Sequence, residues 1–356
     1  MWLRFVPVLL VIAIIVSVLS VGPFSKERAT TYKNHYNPAY DFTLEPENTV
    51  DILCIGSSNL FTAFSPAYVF ENYGYTACNI GMSYQTSVRS YTFLTEFLET
   101  QSPKVLLLDT DMLYEHFPSA SAMKAIDEGK EPNAYDTLRA KQEKLFSTFS
   151  DARFSDIISS RFPLFQTNGH WKHWWEFLPK AFISSYTDEV PYPCEHGFKY
   201  KGEVVAAKKS PYFTESDKVE EIDYEYALYY QKILDLCKEK GIAVYLVETP
   251  TVRSWSSQRH NAVIEIAEAN GVEFIDFNYI DKGIDINLKT DFADGKNHLN
   301  YAGAEKVSAY LADRLTAEVE LTDHRGDESY DYFAQSVDKF KDKYIYNPQP
   351  EEDDNE

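Results

Sequence analysis

The sequence has few basic residues, few cysteines and no periodic repeat, and each shortage excludes a class of protein. Lys and Arg number 34 against 55 Asp and Glu, which gives a formal net charge of −21. Nucleic-acid binding needs clustered basic residues, so no nucleic-acid partner is expected. The four cysteines are far apart and form no Cys-x-x-Cys pair, so neither a zinc site nor a redox motif is predicted. Without a repeat of fixed period, solenoid and propeller folds are excluded.

Long hydrophobic runs are also scarce, and residues 5–21 form the one that could span a membrane. A bilayer core requires about 17–25 apolar residues, whereas the apolar region of a signal peptide has about 7–15. We therefore predict a membrane anchor in residues 1–25, with a cleaved signal segment as the alternative. Arg4 lies on one side of the run and Lys26 on the other, so the positive-inside rule does not fix the orientation.

The rest of the chain has the composition of a folded protein. It is 44% hydrophobic and 15% aromatic, which excludes a mainly disordered chain. We predict a polar linker over residues 26–48 and an α/β domain over 49–320. A large, mostly helical and aromatic-rich insertion is predicted at 112–215. Residues 321–356 are expected to form an acidic, solvated tail.

Within the predicted domain, apolar runs typical of buried strands alternate with helical segments. Continuous apolar strands separated by helices are typical of a parallel sheet covered on both faces. The fold class predicted is therefore α/β, a doubly wound parallel sheet of about five strands, which binds ligands beyond the carboxyl ends of the strands. The predicted strands are 50–56, 75–81, 104–111, 242–250 and 272–277. The predicted helices are 65–74, 87–100, 223–241, 257–271 and 300–320.

Two serines follow the first predicted strand. The run "ILCI" ends at Gly56, and Ser57 and Ser58 come next. A serine at this edge can act as a nucleophile beside backbone N–H groups that stabilise an oxyanion. Serine is also common at helix caps and turns, and on this feature alone the cap is the better interpretation.

The loop after the last predicted strand supplies what a nucleophilic serine needs. His298 stands just before a predicted helix, with Asp294 four residues earlier and Asp291 seven residues earlier. A serine nucleophile requires a base, and the base requires a carboxylate that fixes its tautomer. Both helpers lie in a loop at the same sheet edge as the serines, and Asp294 is preferred to Asp291 as the carboxylate.

These motifs resemble those of the SGNH/GDSL-type hydrolases. "GSSN" (56–59) is similar to their first block, which implies Ser58 as nucleophile and Ser57 as its support. "DGKNHLNYAG" (294–303) is similar to their last block, which implies His298 as base. "NIGMS" (79–83) stands where the second block provides an oxyanion glycine, which implies Gly81.

The resemblance covers roughly residues 50–110 and 217–315. With an amino-terminal anchor, the chain is most similar to the cell-envelope branch, which includes alginate O-acetyltransferases and teichoic-acid D-alanyl transfer proteins. That branch implies a single-pass protein of the cell membrane whose catalytic domain is extracytoplasmic, or a secreted one if the amino-terminal segment is cleaved.

The chain departs from the family pattern at two places. The family aspartate stands three residues before the histidine, but here position 295 is glycine and the nearest aspartate is Asp294. The third block normally provides an asparagine to the oxyanion hole, but residues 106–115 read "LLLDTDMLYE". An ionised Asp109 or Asp111 there would repel an oxyanion. The hole is therefore expected from the N–H groups of Ser58 and Gly81, helped by Asn59.

Three further residues are candidates for substrate binding. Arg89 follows Gly81 in the next helix and could bind an anionic group or pair with a nearby glutamate. Glu248 ends a predicted strand at the active edge, where a carboxylate contacts substrate or is simply solvated. Trp171 lies in the Trp-rich segment 167–177, which could stack on a sugar ring, lie at the membrane interface or pack the insertion onto the core.

The resemblance implies a serine esterase or O-acyltransferase with a Ser-His-Asp mechanism and no metal or organic cofactor. Its substrates would be ester-linked acyl groups of extracellular or cell-envelope glycans, or an acylated carrier, and a membrane acyl-export protein would be a partner. The alternative is a non-catalytic module of the same fold that binds envelope polysaccharide or a membrane partner. The missing third-block asparagine favours that alternative, and the retained serine and histidine favour the enzyme.

Overall fold

The computed structural model describes residues 42, 44–81, 85–114, 194–208, 215–279 and 284–346. The predicted membrane segment, most of the predicted linker and Trp171 lie outside these ranges. Among the helices that the structure describes, none combines the length and the apolar character needed to cross a bilayer.

Five parallel strands form one sheet in the order β2-β1-β3-β4-β5. The predicted α/β fold with a five-stranded parallel sheet is thus confirmed. Every residue of the first three strands is buried, as their continuous apolar sequences predict for a sheet covered on both faces. The strands are β1 (Ile52–Gly56), β2 (Ala77–Gly81), β3 (Val105–Asp109), β4 (Ala243–Glu248) and β5 (Glu273–Asp276).

Helices follow the strands, and their ends carry local sequence signals. Ser65 caps a helix whose first residue is Pro66, and that helix ends at Gly74 in the left-handed conformation with φ 78°. The helices are α1 (Ser58–Phe61), α2 (Pro66–Tyr73), α3 (Ser87–Phe97), α4 (Tyr224–Lys240), α5 (Ser257–Asn270), α6 (Tyr301–Glu318) and α7 (Asp331–Lys341).

Helices α2 and α6 cover one face of the sheet. Their buried side chains, among them Val69 and Leu311, form one apolar cluster with Ile52, Leu107 and Val247 of the strands. Helices α3 and α4 pack against each other, and α4 also contacts β4. Each large aliphatic side chain in such a cluster contributes about 1.5–3 kcal/mol by leaving water, so the central strands are held firmly in register.

The strand order determines where a ligand site can form. β1 lies between β2 and β3, so the chain reverses its direction of travel across the sheet at β1. In open α/β sheets the crevice beyond the carboxyl ends of the strands at such a reversal is the usual ligand site. The turn after Gly56 lies at that crevice.

The segment 194–208, which the sequence analysis places in the insertion at 112–215, is fastened to the core of the domain by backbone hydrogen bonds. Its backbone forms hydrogen bonds to α1 and to the loop that carries His298: the Lys199 N–H donates to the Phe61 carbonyl at 3.0 Å, and the Val205 N–H donates to the Phe292 carbonyl at 2.9 Å. The polar loop sequence does not predict these contacts, because backbone groups form the hydrogen bonds and they leave no pattern in the sequence.

The carboxyl-terminal part also differs from the expected solvated tail, up to residue 346. Phe333, Val337 and Phe340 of α7 are buried, and α7 packs against α2. Phe333 stacks on Phe70 with ring centroids 5.2 Å apart. The acidic residues of this region lie on the other side of the helix, because apolar residues at spacings of four and three share one face. Residues 347–356 lie outside the described part.

Candidate active site

Two hydrogen bonds of Ser57 fix the turn after β1. Ser57 caps α1, and its Oγ accepts from the Asn59 N–H at 3.3 Å. The Ser57 N–H in turn donates to Asp109 Oδ2 at 2.6 Å. Glycine is required at position 56, since a Cβ there would lie 2.4 Å from the Asp109 Cβ. The strand end and the carboxylate of β3 thus fix the backbone on which Ser58 is carried.

Ser58 differs from its neighbours in exposure. Every residue from Ile52 to Ala67 is buried except Ser58, which is half-buried, and Ser57 is only 1% exposed. A nucleophile has to reach its substrate, and Ser57 cannot do so from this position. The two serines, which the strand-end pattern alone leaves interchangeable, therefore have different environments.

The histidine loop is closed at its base and bent at Gly295. Phe292 and Leu299 form an isolated antiparallel bridge, and the Ala293 N–H donates to the His298 carbonyl at 2.9 Å. Gly295 has φ +65°, a conformation that residues with a side chain rarely adopt. This bend accommodates the extra residue between Asp294 and His298.

Ser58, His298 and Asp294 form a continuous hydrogen-bonded chain. The Ser58 Oγ lies 2.8 Å from His298 Nε2. His298 Nδ1 lies 2.8 Å from Asp294 Oδ2. Because an ionised carboxylate only accepts hydrogen bonds, Nδ1 carries the proton and donates a hydrogen bond to Asp294. His298 Nε2 is then the acceptor of the Ser58 hydroxyl proton, which is the arrangement needed for general-base activation of a serine.

Asp294 is kept ionised by its hydrogen bonds. Partial burial alone would raise its pKa, but the hydrogen bond from His298 and the backbone N–H of Lys296 outweigh this and hold the pKa well below its usual value. Its Oδ1 accepts from the N–H groups of Lys296, Asn297 and His298 at 2.8, 3.1 and 3.2 Å. Such an acceptor set favours the charged form and fixes the carboxylate's orientation.

Asp291, the alternative carboxylate, has other partners. Lys306 Nζ forms an ion pair with its Oδ2 at 2.6 Å, and the Asn287 N–H donates to the same oxygen at 2.7 Å. It is 2% exposed. Its position stabilises the start of the loop, while Asp294 is the carboxylate in contact with His298.

Two residues missed by the sequence analysis fasten the histidine loop to the loop after β4. Thr251 Oγ1 donates to Asn297 Oδ1 at 2.7 Å. The Val252 N–H donates to the Lys296 carbonyl at 3.0 Å. The signal that could have found them is their position, directly after a strand that ends at the same sheet edge.

The residues expected around an oxyanion have distinct surroundings. Gly81 pairs with Gly56 at the ends of β2 and β1. A Cβ at position 81 would lie 2.5 Å from a ring carbon of Phe61, so glycine is required there. The Asn59 side-chain amide donates to Asp111 Oδ2, so at least one of its N–H groups is directed at that carboxylate and away from an oxyanion.

Three carboxyl groups lie close together near the turn after β1, and two of them accept hydrogen bonds from Ser57 and Asn59 of that turn. Asp109, Asp111 and Glu248 each present a carboxylate oxygen, and these oxygens all lie within 4.8 Å of one another. They form the one group of potential metal ligands among the described residues. Burial raises the pKa of Asp109 and, more strongly, that of Glu248, which the nearby Asp111 and Asp109 raise further.

Two of the three residues expected to bind substrate, Arg89 and Glu248, lie among the described residues. Glu248 is 0% exposed and accepts a hydrogen bond from Thr110 Oγ1 at 2.6 Å, so it cannot reach a substrate from this position. The guanidinium carbon of Arg89 lies 5.9 Å from the centre of the Phe93 ring on the same helix. Trp171 lies outside the described residues.

Comparison with known proteins yields distant structural similarities. No family model and no curated protein matches the chain. The chain is similar to a protein assigned as an acylhydrolase from Bacteroides fragilis, with 11% identity, coverage of 79% of this chain and 95% of that one, and a TM-score of 0.36. It is also similar to a GDSL-like lipase from Bacteroides thetaiotaomicron, with 13% identity, coverage of 79% and 96%, and a TM-score of 0.35. TM-scores this low do not by themselves assign a function.

Proposed function

We propose that the protein is a serine esterase or O-acyltransferase of SGNH type, in which Ser58 is the nucleophile, His298 the base and Asp294 the residue that orients the base. The observation that carries the proposal is the unbroken chain Ser58 Oγ–His298 Nε2 and His298 Nδ1–Asp294 Oδ2, both at 2.8 Å. A module that only binds a polymer has no need of this chain, so the non-catalytic alternative has less support.

The first chemical step is acyl transfer to the protein. The Ser58 hydroxyl attacks the carbonyl carbon of an ester while its proton passes to His298 Nε2. The resulting imidazolium is stabilised by ionised Asp294, and it returns the proton to the departing alcohol oxygen. The Ser58 ester then passes its acyl group to water or to another hydroxyl: His298 takes the attacking group's proton and returns it to the departing Ser58 oxygen, which restores the starting state.

The oxyanion of the tetrahedral intermediate requires hydrogen-bond donors. We propose the backbone N–H groups of Ser58 and Gly81, because both lie at the carboxyl edge of adjacent strands. Removing one donor from such a site typically costs about 2.7–4 kcal/mol in transition-state stabilisation. With the Asn59 amide directed at Asp111, a two-donor hole is expected to give a slower enzyme than a three-donor hole.

Our proposals for the substrate and for the cellular location rest on the sequence resemblance. We propose that ester-linked acyl groups of envelope glycans, or of an acylated carrier, are the substrates, with a membrane acyl-export protein as partner. We further propose that residues 1–25 anchor the protein and leave the catalytic domain outside the cytoplasmic membrane. Membrane fractionation with protease protection of intact cells tests the location.

A fluorophosphonate probe tests the catalytic proposal without knowledge of the substrate, since it labels an activated serine. Wild-type protein should be labelled and Ser58→Ala should not. Ser329→Ala is a matched control, because Ser329 is exposed and lies in a distant turn, and it should be labelled like the wild type. Absence of labelling in the wild type, or equal labelling of Ser58→Ala, would contradict the proposal.

A further inference from the structure

The carboxyl groups of Asp109, Asp111 and Glu248 form a buried cluster that the proposed acyl transfer does not use. Asp109 is the last residue of β3, Asp111 follows it by two residues, and Glu248 is the last residue of β4. Their exposures are 0%, 1% and 0%. Three carboxyl groups that meet away from water need either a cation or protons to balance their charges, because mutual repulsion and desolvation both oppose ionisation.

The hydrogen-bond donors that the structure describes at Asp109 and Glu248 are neutral. Asp109 accepts from the N–H groups of Ser57 and Asp111, and Glu248 Oε2 accepts from the Thr110 hydroxyl. Within the described ranges, no lysine or arginine forms an ion pair with Asp109 or Glu248. Neutral donors of this kind hold a carboxylate in place but do not cancel its charge.

Two buried oxygens beside the cluster have no hydrogen-bond partner among the described residues. One is Glu248 Oε1, and the other is the hydroxyl of Tyr230, a residue of α4 that is 1% exposed. Burial, followed by the charges of Asp109 and Glu248, raises the pKa of Tyr230, so these two carboxyl groups lie near it. Buried polar atoms are almost always satisfied in folded proteins, so the unsatisfied Glu248 Oε1 within the cluster indicates a bound ligand there.

The dimensions and the donor atoms indicate which ligand fits. Ca²⁺ binds oxygen at about 2.3–2.6 Å, so two of its ligand atoms are separated by up to about 5 Å, and Mg²⁺ binds at about 2.0–2.1 Å. One oxygen from each of the three carboxyl groups lies close enough to the others for all three to bind one such ion. All the available donors are oxygens, which favours hard cations over zinc or copper. We propose that Asp109, Asp111 and Glu248 bind a hard divalent cation, Ca²⁺ or Mg²⁺.

A cation at this site would also stabilise the turn that carries Ser58. This second effect rests on the proposed function, whereas cation binding does not depend on it. Asp109 accepts a hydrogen bond from the Ser57 N–H, and Asp111 accepts one from the Asn59 side-chain amide. The two carboxylates therefore fix both neighbours of Ser58. A divalent cation between them fixes these groups and offsets two of the three negative charges that would otherwise repel an oxyanion at Ser58.

Calorimetric titration and thermal unfolding of the EDTA-treated full chain test the proposal with CaCl₂ and MgCl₂ as probes. We expect at least one of the two cations to bind saturably, with one ion per chain. The melting temperature should rise with the concentration of that cation. Glu248→Gln should weaken the binding at least tenfold. Glu265→Gln is the matched control, because Glu265 is exposed on α5, and it should bind like the wild type.

Proton sharing among the carboxyl groups gives the opposite pattern. In that case neither cation changes the wild-type melting temperature, and Glu248→Gln raises it because glutamine mimics the protonated acid. That result would overturn the proposal, and the wild-type titration alone decides it if the variant does not fold. Failure of fluorophosphonate labelling with cation binding intact would instead refute the proposed catalysis and leave the cation site standing.

Discussion

Replacing Asp294 with asparagine tests how the site selects the tautomer of His298. Asp294 Oδ1 accepts from three backbone N–H groups, of Lys296, Asn297 and His298, and these groups can only donate. The asparagine must therefore keep its carbonyl oxygen toward them, which directs its NH₂ group at His298 Nδ1. An NH₂ group donates, so Nδ1 has to become the acceptor and the imidazole proton has to move to Nε2.

A proton on His298 Nε2 leaves no acceptor for the Ser58 hydroxyl. The same change in Ser-His-Asp enzymes lowers kcat by about 10⁴-fold. Here the side chains of His298 and Asp294 are 31% and 33% exposed, so water can partly replace the lost partner. We therefore expect a smaller loss of about 10³-fold, which corresponds to about 4 kcal/mol of transition-state stabilisation.

The assay is the second-order rate of fluorophosphonate labelling at pH 7, with thermal unfolding to show that the variant is folded. Asp285→Asn is the matched control, since Asp285 is exposed in the same segment, and it should label at the wild-type rate. Labelling of Asp294→Asn within about threefold of the wild type would refute the tautomer reasoning. A large loss in Asp291→Asn with none in Asp294→Asn would identify Asp291 as the orienting carboxylate.

The sheet could be predicted from the sequence because its signal is local. Five apolar runs bounded by glycine or polar residues fall within two or three residues of the strands, and Ser-Pro and glycine signals set the helix ends. The candidate nucleophile and base could be proposed because the strand-end serines and the "DGKNHLN" loop are contiguous motifs. Their meeting across the sheet edge follows from the parallel topology, which brings all carboxyl strand ends to one side.

The carboxylate cluster could not be predicted as a unit because its members come from different strands. Asp109 and Glu248 each read as an ordinary strand-end acid, and their contact depends on β3 and β4 being neighbours. The position of the Asp109 carboxylate also depends on Gly56, whose missing Cβ lets that carboxylate lie against β1. Sequence composition carries no record of such an approach, since the same glycine is equally consistent with a simple turn.

The remaining predictions concern acid stability, the β1 turn and the carboxyl-terminal helix. The folded-state pKa of Asp294 is below its unfolded value of 3.8, so its ionised form stabilises the fold above that pH and the contribution is lost as pH falls through the folded pKa. The melting temperature of Asp294→Asn should therefore fall less steeply than that of the wild type below about pH 4, and parallel slopes would contradict this. Gly56→Ala places a Cβ 2.4 Å from the Asp109 Cβ, and we expect a loss of about 1–3 kcal/mol in urea unfolding together with slower probe labelling. The exposed Gly202→Ala is its control, and equal stability of the two variants would refute the packing argument. Phe333 is 0% exposed and stacks on Phe70 and His196, with centroids 5.2 and 4.0 Å apart, so Phe333→Ala should cost about 3–5 kcal/mol of unfolding free energy. The exposed Gln335→Ala, on the opposite side of the same helix, should cost almost nothing, whereas a solvated tail would make both changes neutral.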